Sequence, residues 1–371
     1  MTFIHQRVDW PRFTWDSRAL VDVLADVRHK QGRLLGRLDA LGFDLRAEAT
    51  LVSLTSEIVK SSAIEGEQLA REEVRSSIAR QLGLDVGGLP RAGRYVDGIV
   101  EMMLDATRRY DHPLTKERVW GWHAALFPTG RSGIHSITVG EWRKDEHGPM
   151  QVVSGPLGKE RVHFRAPAAD RLEDEMNRFL TWFNQDSRID PVLRAAVSHF
   201  WFVTIHPFDD GNGRIARAIG EMALTRSDGC RDRFYSMSSA IEAERSDYYQ
   251  VLESSQRGSL DITAWLVWFL GCLERALDDA DSMLDSVLRK ARLWQYVNVR
   301  PVNDRQRKVI NRMLNHTWEG NLTTSKYARM AKCSHDTALR DIKDLVGRGI
   351  LRRNDRGGRS TSYRLAEPEA R

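Results

Sequence analysis

Two apolar segments of this chain are joined by a polar run that leaves little freedom in how the region can fold. Residues 192–205 are mostly apolar and read as a buried helix, and residues 215–224 read as a second one. Between them lies His206-Pro-Phe-Asp-Asp-Gly-Asn-Gly-Arg214-Ile-Ala-Arg217. The polar run therefore reads as a loop opening onto a helix N-terminus. Such a place gathers anions, because free backbone N–H groups and the positive dipole end point outward. Gly211 and Gly213 let a phosphate approach the main chain. Asn212 offers a side-chain donor. Arg214 and Arg217 are three residues apart and share a helix face, where two guanidinium groups suit a polyphosphate. Asp210 is a hard oxygen ligand beside the cradle, suited to Mg²⁺ bridging phosphates. His206, with an ordinary pKa of about 6.5, can take a proton near neutral pH. Together these parts describe transfer of a phosphate-containing group to a nucleophile. The plain alternative is a helix start with a satisfied histidine and two surface arginines.

The same twelve residues resemble the Fic motif, His-x-Phe-x-[Asp/Glu]-Gly-Asn-Gly-Arg-x-x-Arg, with every defining position present. The resemblance implies transfer of AMP from ATP to a hydroxyl side chain (Ser, Thr or Tyr) of a target protein. It makes His206 the base for the acceptor hydroxyl and Asp210 the holder of Mg²⁺ on the α- and β-phosphates. Gly211, Asn212, Gly213 and Arg214 would bind phosphates, Arg217 the γ-phosphate, and Phe208 would anchor the loop. Catalysis would then rest mainly on positioning and charge neutralisation.

Upstream, Ser61-Ser-Ala-Ile-Glu65-Gly66 is similar to the family's inhibitory motif, [Ser/Thr]-x-x-x-Glu-[Gly/Asn]. Residues 45–70 read as helical, with Leu51, Leu54, Ile58 and Ile64 as the apolar stripe. Ser61 and Glu65 then share a face. The resemblance implies that Glu65 pairs with Arg217 and blocks a productive ATP pose. Without the catalytic motif, the same glutamate would read as a solvated helix residue.

Residues 151–155 and 161–164 are short β-prone runs around Pro156-Leu-Gly158 and predict a hairpin, with a helix able to begin at Ala166-Pro167. By resemblance this hairpin is a flap that pairs with an extended stretch of the target, which involves Val152, Val153, Ser154 and Gly155. A hairpin that merely caps the helical core is the other reading. Gly140-Glu-Trp-Arg143 also fits the family pattern. His163 reads as a flap or surface histidine, lacking partner ligands at metal spacing. Farther on, Tyr248, Tyr249 and Gln256 resemble positions lining an adenine and ribose pocket, although an aromatic pair on a helix equally reads as core. Residues 261–270 read as one more buried helix.

The flanks carry other signals. Near the start, Trp10, Phe13 and Trp15 precede an amphipathic run over residues 20–41, capped by Asp16 or Ser17. This is similar to an N-terminal extension of unassigned role in some Fic proteins, its aromatic residues packing on the main domain. Residues 301–371 carry 16 Lys/Arg against 8 Asp/Glu, a balance of +8, while the whole chain is +5, so residues 1–300 sum to −3. Helices are predicted over residues 305–315, 324–331 and 334–346, the last capped by Ser334 with Ala338, Leu339, Ile342 and Leu345 buried. Strands follow at residues 349–353 and 360–365. That order is a winged helix-turn-helix, whose third helix would present His335, Thr337, Arg340 and Lys343 to DNA, with Arg356 and Arg359 at the wing tip. A protein-interaction or dimerisation module is the rival.

The fold class is therefore mainly α: a helical core with a small β-hairpin flap, then a C-terminal winged helix-turn-helix. The expected division is an N-terminal helical extension over residues 1–90, a catalytic core over 91–275, a linker helix over 276–302 and the winged module over 303–371. No run approaches membrane-spanning length and no signal-peptide pattern opens the chain. Cys230, Cys272 and Cys333, odd in number and far apart, point to reduced thiols in a cytoplasm. A target protein, DNA and a second copy of the chain are the partners to consider. The readings open at this point are AMP transfer, another nucleotide or phosphate donor, removal of AMP with Glu65 activating water, and a DNA-bound regulator whose core only senses nucleotide.

Overall fold

A computed structural model describes residues 2–84, 90–146, 148–155, 159, 161–298, 302–314, 320–354 and 361–366. The chain divides into two compact units, one of residues 1–42 with 46–280, the other of residues 281–371 with 43–45. It is mainly helical. The helices are α1 (Ser17–Asp39), α2 (Phe43–Ile64), α3 (Arg71–Gln81), α4 (Arg94–Arg108), α5 (Lys116–Leu126), α6 (Leu172–Asn184), α7 (Pro191–Ile205), α8 (Asn212–Asp228), α9 (Met237–Ala243), α10 (Arg245–Arg257), α11 (Thr263–Asn298), α12 (Asp304–Met313), α13 (Thr324–Ala331) and α14 (His335–Gly347). The strands form three antiparallel pairs: β1 (Arg131–Ser132) with β2 (His135–Ser136), β3 (Gln151–Ser154) with β4 (Arg161–Arg165), and β5 (Leu351–Arg353) with β6 (Tyr363–Leu365).

In the first unit, α7 and α8 pack along their lengths and form its centre. Every residue of α7 from Val192 to Ile205 except Arg194 is buried, as expected for a helix with apolar residues all round. Asp190 caps it by accepting from the Val192 N–H. Leu51, Leu54, Ile58 and Ile64 of α2 are all buried, which bears out the stripe. The helix, however, stops at Ile64 rather than running to residue 70. The Glu67 N–H reaches the Ser62 carbonyl and the Gly66 N–H the Ala63 carbonyl, with Gly66 at φ +87°. This is a Schellman ending, and it needs the left-handed glycine.

The N-terminal aromatic residues pack as expected. Trp10 meets Phe13 and Trp201 edge-on, and its Nε1–H donates to Glu175. Asp16, rather than Ser17, caps α1. The hairpin β3–β4 runs with a register shift between Val152 and Val153; its expected turn, Pro156-Leu-Gly158, lies outside the described residues. The helix expected to begin at Ala166-Pro167 instead begins at Leu172, after a single 3-10 turn over Ala169–Arg171. The Pro167 carbonyl accepts from Arg143. Residues 263–270 and 276–298, expected to lie in separate helices, belong to the single α11.

The second unit has a core of its own, in which Val309, Ile310, Tyr327, Ile342, Leu345 and Leu351 are buried together. Ser334 caps α14 as expected. Ala338, Ile342 and Leu345 form its buried stripe, while Leu339 is only half-buried and Asp341 takes a buried place. Asp341 is satisfied there by Arg305 and the Tyr327 hydroxyl. Arg356 and Arg359 lie outside the described residues.

Candidate active site

The loop between α7 and α8 is built by its own residues and two supports, Arg143 and His123. His206 ends α7 in the left-handed conformation, φ 54° and ψ 58°. Its carbonyl accepts from Arg143 Nε at 2.9 Å, and the Arg143 N–H donates to the Pro207 carbonyl at 2.9 Å. Phe208 is fully buried and stacks on His123 at 4.0 Å between ring centroids. The His123 Nδ1 accepts from the Gly140 N–H, so its Nε2–H donates to the Asp210 carbonyl. Asn212 spends its side-chain amide inside the loop, accepting from the Phe208 N–H and donating to the Phe208 carbonyl. Its contribution to the cradle is thus to hold the loop shut. Gly211, at φ +81°, turns the chain into α8.

His206 directs Nδ1 at the Val203 carbonyl, 3.3 Å away, which fixes the proton there and leaves Nε2 with a free lone pair. Burial lowers its pKa to about 4, outweighing the Val203 hydrogen bond. The ring is therefore neutral at pH 7 and able to accept a proton.

Both arginines of the run are buried, each 2% exposed, and each is met by a carboxylate from just beyond α2. Arg217 donates to the Ser61 hydroxyl at 2.8 Å, the Ser61 carbonyl at 2.9 Å and Glu65 Oε1 at 2.8 Å. Burial opposes its charge, but the Glu65 carboxylate, with smaller contributions from Tyr248 and Tyr249, outweighs this and its pKa is raised. Glu65 also fills the space over Gly213, where a Cβ would lie 2.1 Å from its Oε1. Arg214 donates from Nη1 to Glu67 at 3.0 Å and to the Tyr95 hydroxyl at 2.7 Å, over the ring of Phe127. Two buried guanidinium nitrogens, Arg217 Nη1 and Arg214 Nε, have no hydrogen-bond partner among the described residues. Unpaired buried donors of this kind are costly. An anion settling in the cradle would satisfy them.

Asp210 is half-exposed at the mouth, where its carboxylate accepts from the Gly211 N–H and the Ser132 hydroxyl. No group of three or more potential ligands stands together among the described residues. One accessible carboxylate beside a phosphate cradle nevertheless fits Mg²⁺, which keeps several waters and takes its remaining ligands from substrate phosphates.

The Fic/DOC family model matches residues 113–224, the span that holds His123, Arg143 and the whole loop. Residues 113–224 are a Fic domain. Residues 3–84 match a second model, described only as a domain of unknown function, DUF4172. The chain is similar to the protein adenylyltransferase Fic of Nematostella vectensis, at 28% identity over 232 residues, 60% of this chain and 47% of the relative. It is also similar to the protein of that name from Drosophila melanogaster, at 27% identity over 232 residues, 60% and 41%. The match thus spans less than half the length of these curated relatives. A Fic family protein from Desulfovibrio desulfuricans G20 shares the fold with a TM-score of 0.52 and 23% identity over 97% of this chain and 99% of that one. A Fic domain containing signaling protein from Bacteroides thetaiotaomicron VPI-5482 shares it with a TM-score of 0.53 and 19% identity over 70% and 97%.

Other residues expected around the Fic domain's loop have mixed surroundings. Tyr248 is buried against Trp265 and Trp268, and its hydroxyl meets His199 Nε2 at 3.0 Å, so it packs as core. Gln256 is buried too, its amide donating to Thr204. Tyr249 is 41% exposed and its hydroxyl donates to the Ile64 carbonyl at the end of α2, which leaves its ring as the accessible one. On the hairpin, Val153, Ser154 and Gly155 are exposed and Val152 is half-buried. His163 is fixed rather than free, with Nδ1 against Glu253 Oε2 at 2.6 Å and Nε2 against the Ser154 hydroxyl at 2.6 Å.

Sequence reasoning missed His123, Ser132, Tyr95 and Glu67. Glu67 had one available signal: it stands two residues past Glu65, across the left-handed Gly66.

Proposed function

We propose that this chain is a protein adenylyltransferase that moves AMP from ATP to a hydroxyl side chain of a target protein and is held in check by its own Glu65. The observation that carries the reading is the clamp on Arg217. A buried arginine of the phosphate cradle is occupied by a carboxylate reaching it from outside the Fic domain. The relatives named protein adenylyltransferase support the chemistry.

In this reading the triphosphate lies along the N-terminus of α8, with Arg214 and Arg217 on its β- and γ-phosphates and the ring of Tyr249 beside the base. The target's extended segment pairs along β3, where Val153, Ser154 and Gly155 are exposed, and brings its hydroxyl to His206. The neutral Nε2 takes the hydroxyl proton as the oxygen bonds to the α-phosphorus. The bond from the α-phosphorus to the bridging oxygen breaks, and pyrophosphate leaves. Asp210 would hold Mg²⁺, which when bound would supply charge neutralisation on the phosphates. While Glu65 occupies Arg217, the γ-phosphate has no seat and the α-phosphorus is not presented in line. The three cysteines are free thiols, which suits a cytoplasmic setting. No helix of the described residues is long and apolar enough to cross a membrane.

The Glu65→Gly protein, incubated with Mg²⁺ and labelled nucleotides, is expected to attach label from α-labelled ATP to protein hydroxyls and none from γ-labelled ATP. Equivalent GTP, CTP and UTP serve as competing donors. His206→Ala in the same background should lower incorporation by a factor of about 10² or more, the usual worth of a general base. Transfer of the γ-label instead, or full transfer without His206, contradicts the reading.

A second function has a separate observation behind it. On α14, His335, Arg340 and Lys343 are exposed on one side, together with the acidic Asp336, while Ala338, Ile342 and Leu345 are buried on the other. Two exposed cations, Arg340 and Lys343, on the outer face of α14 in a basic unit fit the footprint of a duplex-binding winged helix.

A further inference from the structure

We propose that Glu67 is a second inhibitory carboxylate, which with Tyr95 holds Arg214 as Glu65 holds Arg217. The proposal rests on the function argued above and extends it to the other arginine of the cradle.

The cause lies in how α2 ends. In the Schellman ending, Glu65 is the C-cap that follows Ile64, Gly66 is left-handed, and Glu67 comes directly after it. The reversal at Gly66 brings the flanking carboxylates to the same cradle. Glu65 Oε1 reaches Arg217 Nη2 at 2.8 Å and Glu67 Oε2 reaches Arg214 Nη1 at 3.0 Å. Tyr95, from α4, closes the second contact. Its hydroxyl accepts from Arg214 and donates to Glu67. Burial pushes that hydroxyl well above its ordinary pKa, so the donated proton stays in place. Three groups from three parts of the chain thus form one closed ring of hydrogen bonds.

Two carboxylates set on two arginines mimic two phosphates of a polyphosphate. A nucleotide tail must displace both, and its apparent affinity falls with the fraction of sites in which both arginines are free. Removing Glu65 alone therefore leaves Arg214 engaged, and the release is incomplete. The Glu67 side chain is 39% exposed, so its pair with Arg214 is partly screened by water and worth about 1 kcal/mol, close to a fivefold change in affinity.

Titration calorimetry of MgATP and of inorganic pyrophosphate tests this on four forms: wild type, Glu65→Gly, Glu67→Gln and the double variant. Glutamine keeps the shape of the side chain and removes the charge. Binding is expected to tighten about fivefold from wild type to Glu67→Gln, and again from Glu65→Gly to the double variant. Tyr95→Phe should give a smaller gain of about twofold, because it leaves the ion pair intact. If MgATP binds the Glu65→Gly protein but Glu67→Gln adds nothing in either background, Glu67 is no lock and the adenylyltransferase reading stands. If MgATP binds no form, that reading fails. Pyrophosphate then decides on Glu67: tighter binding to Glu67→Gln upholds the second lock, and unchanged or absent binding overturns it.

Discussion

Three histidines of the Fic-domain unit are kept neutral by burial. His199 is lowered to about 3, and His123 and His206 to about 4. In the unfolded chain each returns to about 6.5. As pH falls below that value the unfolded chain binds protons that the folded one refuses, so folding stability falls with pH. The expected loss is about 2 kcal/mol per histidine at pH 5. Between pH 7 and pH 5, urea midpoints should fall more steeply for wild type than for His199→Gln, a difference that cancels the opposing slope of the buried Glu221 carboxyl, raised to about 8; equal slopes would show that the ring is not held neutral. His206 was legible in the sequence because its neighbours in the run declare its chemistry. His123 was not, since it lies 83 residues before His206 and its type and position say nothing of the ring it will stack on. Glu67 and Tyr95 were missed for the same reason: a glutamate and a tyrosine are ordinary residues until the fold brings them to Arg214. Tyr248 and Gln256 show the converse, because their helical spacing fits a pocket and a core alike and only packing decides.

Among the elements, helices with strong periodicity or a clear cap were readable: α7, α13 and α14 lie within a residue or so of their expected bounds. Ends set by hydrogen bonds were harder. α2 stops at a Schellman turn inside a stretch of good helix formers, and α6 starts five residues after Pro167. The hairpin's alternation was visible, but what braces it was not. Phe3 meets Phe164 of β4 edge-on at 5.2 Å, and His5 Nε2–H donates to the Arg165 carbonyl at 2.8 Å. From the other side, Arg257 of α10 donates to the Val162 and His163 carbonyls. Residues 3–6, at the start of the region of unknown function, therefore act as a strut for β4. Phe3→Ala is expected to cost about 2 kcal/mol of local stability and to speed amide exchange in residues 161–166 roughly 30-fold. MgATP affinity should be unchanged. Exchange no faster than in wild type would mean the hairpin stands without the strut.

At the scale of the whole molecule, charge is divided unevenly, −3 over residues 1–300 against +8 over residues 301–371. If that excess serves a duplex, each phosphate contact releases a counterion and steepens the salt dependence. Arg340→Glu with Lys343→Glu is expected to weaken duplex binding and to lower the slope of log K against log salt by about two. Absence of binding by the unaltered chain at low salt would assign the unit to a protein partner instead. Composition made this asymmetry plain, but not the contact between Glu65 and Arg217, which depends on the fold bringing residue 65 to residue 217. The most direct trial of that arrangement is intact-mass analysis of wild-type and Glu65→Gly protein after incubation with ATP and Mg²⁺. Breaking a buried, charge-assisted contact worth about 1.5–3 kcal/mol should raise the rate of self-modification, read as the mass of one AMP, by roughly tenfold or more. Equal incorporation by the two proteins would contradict control by Glu65.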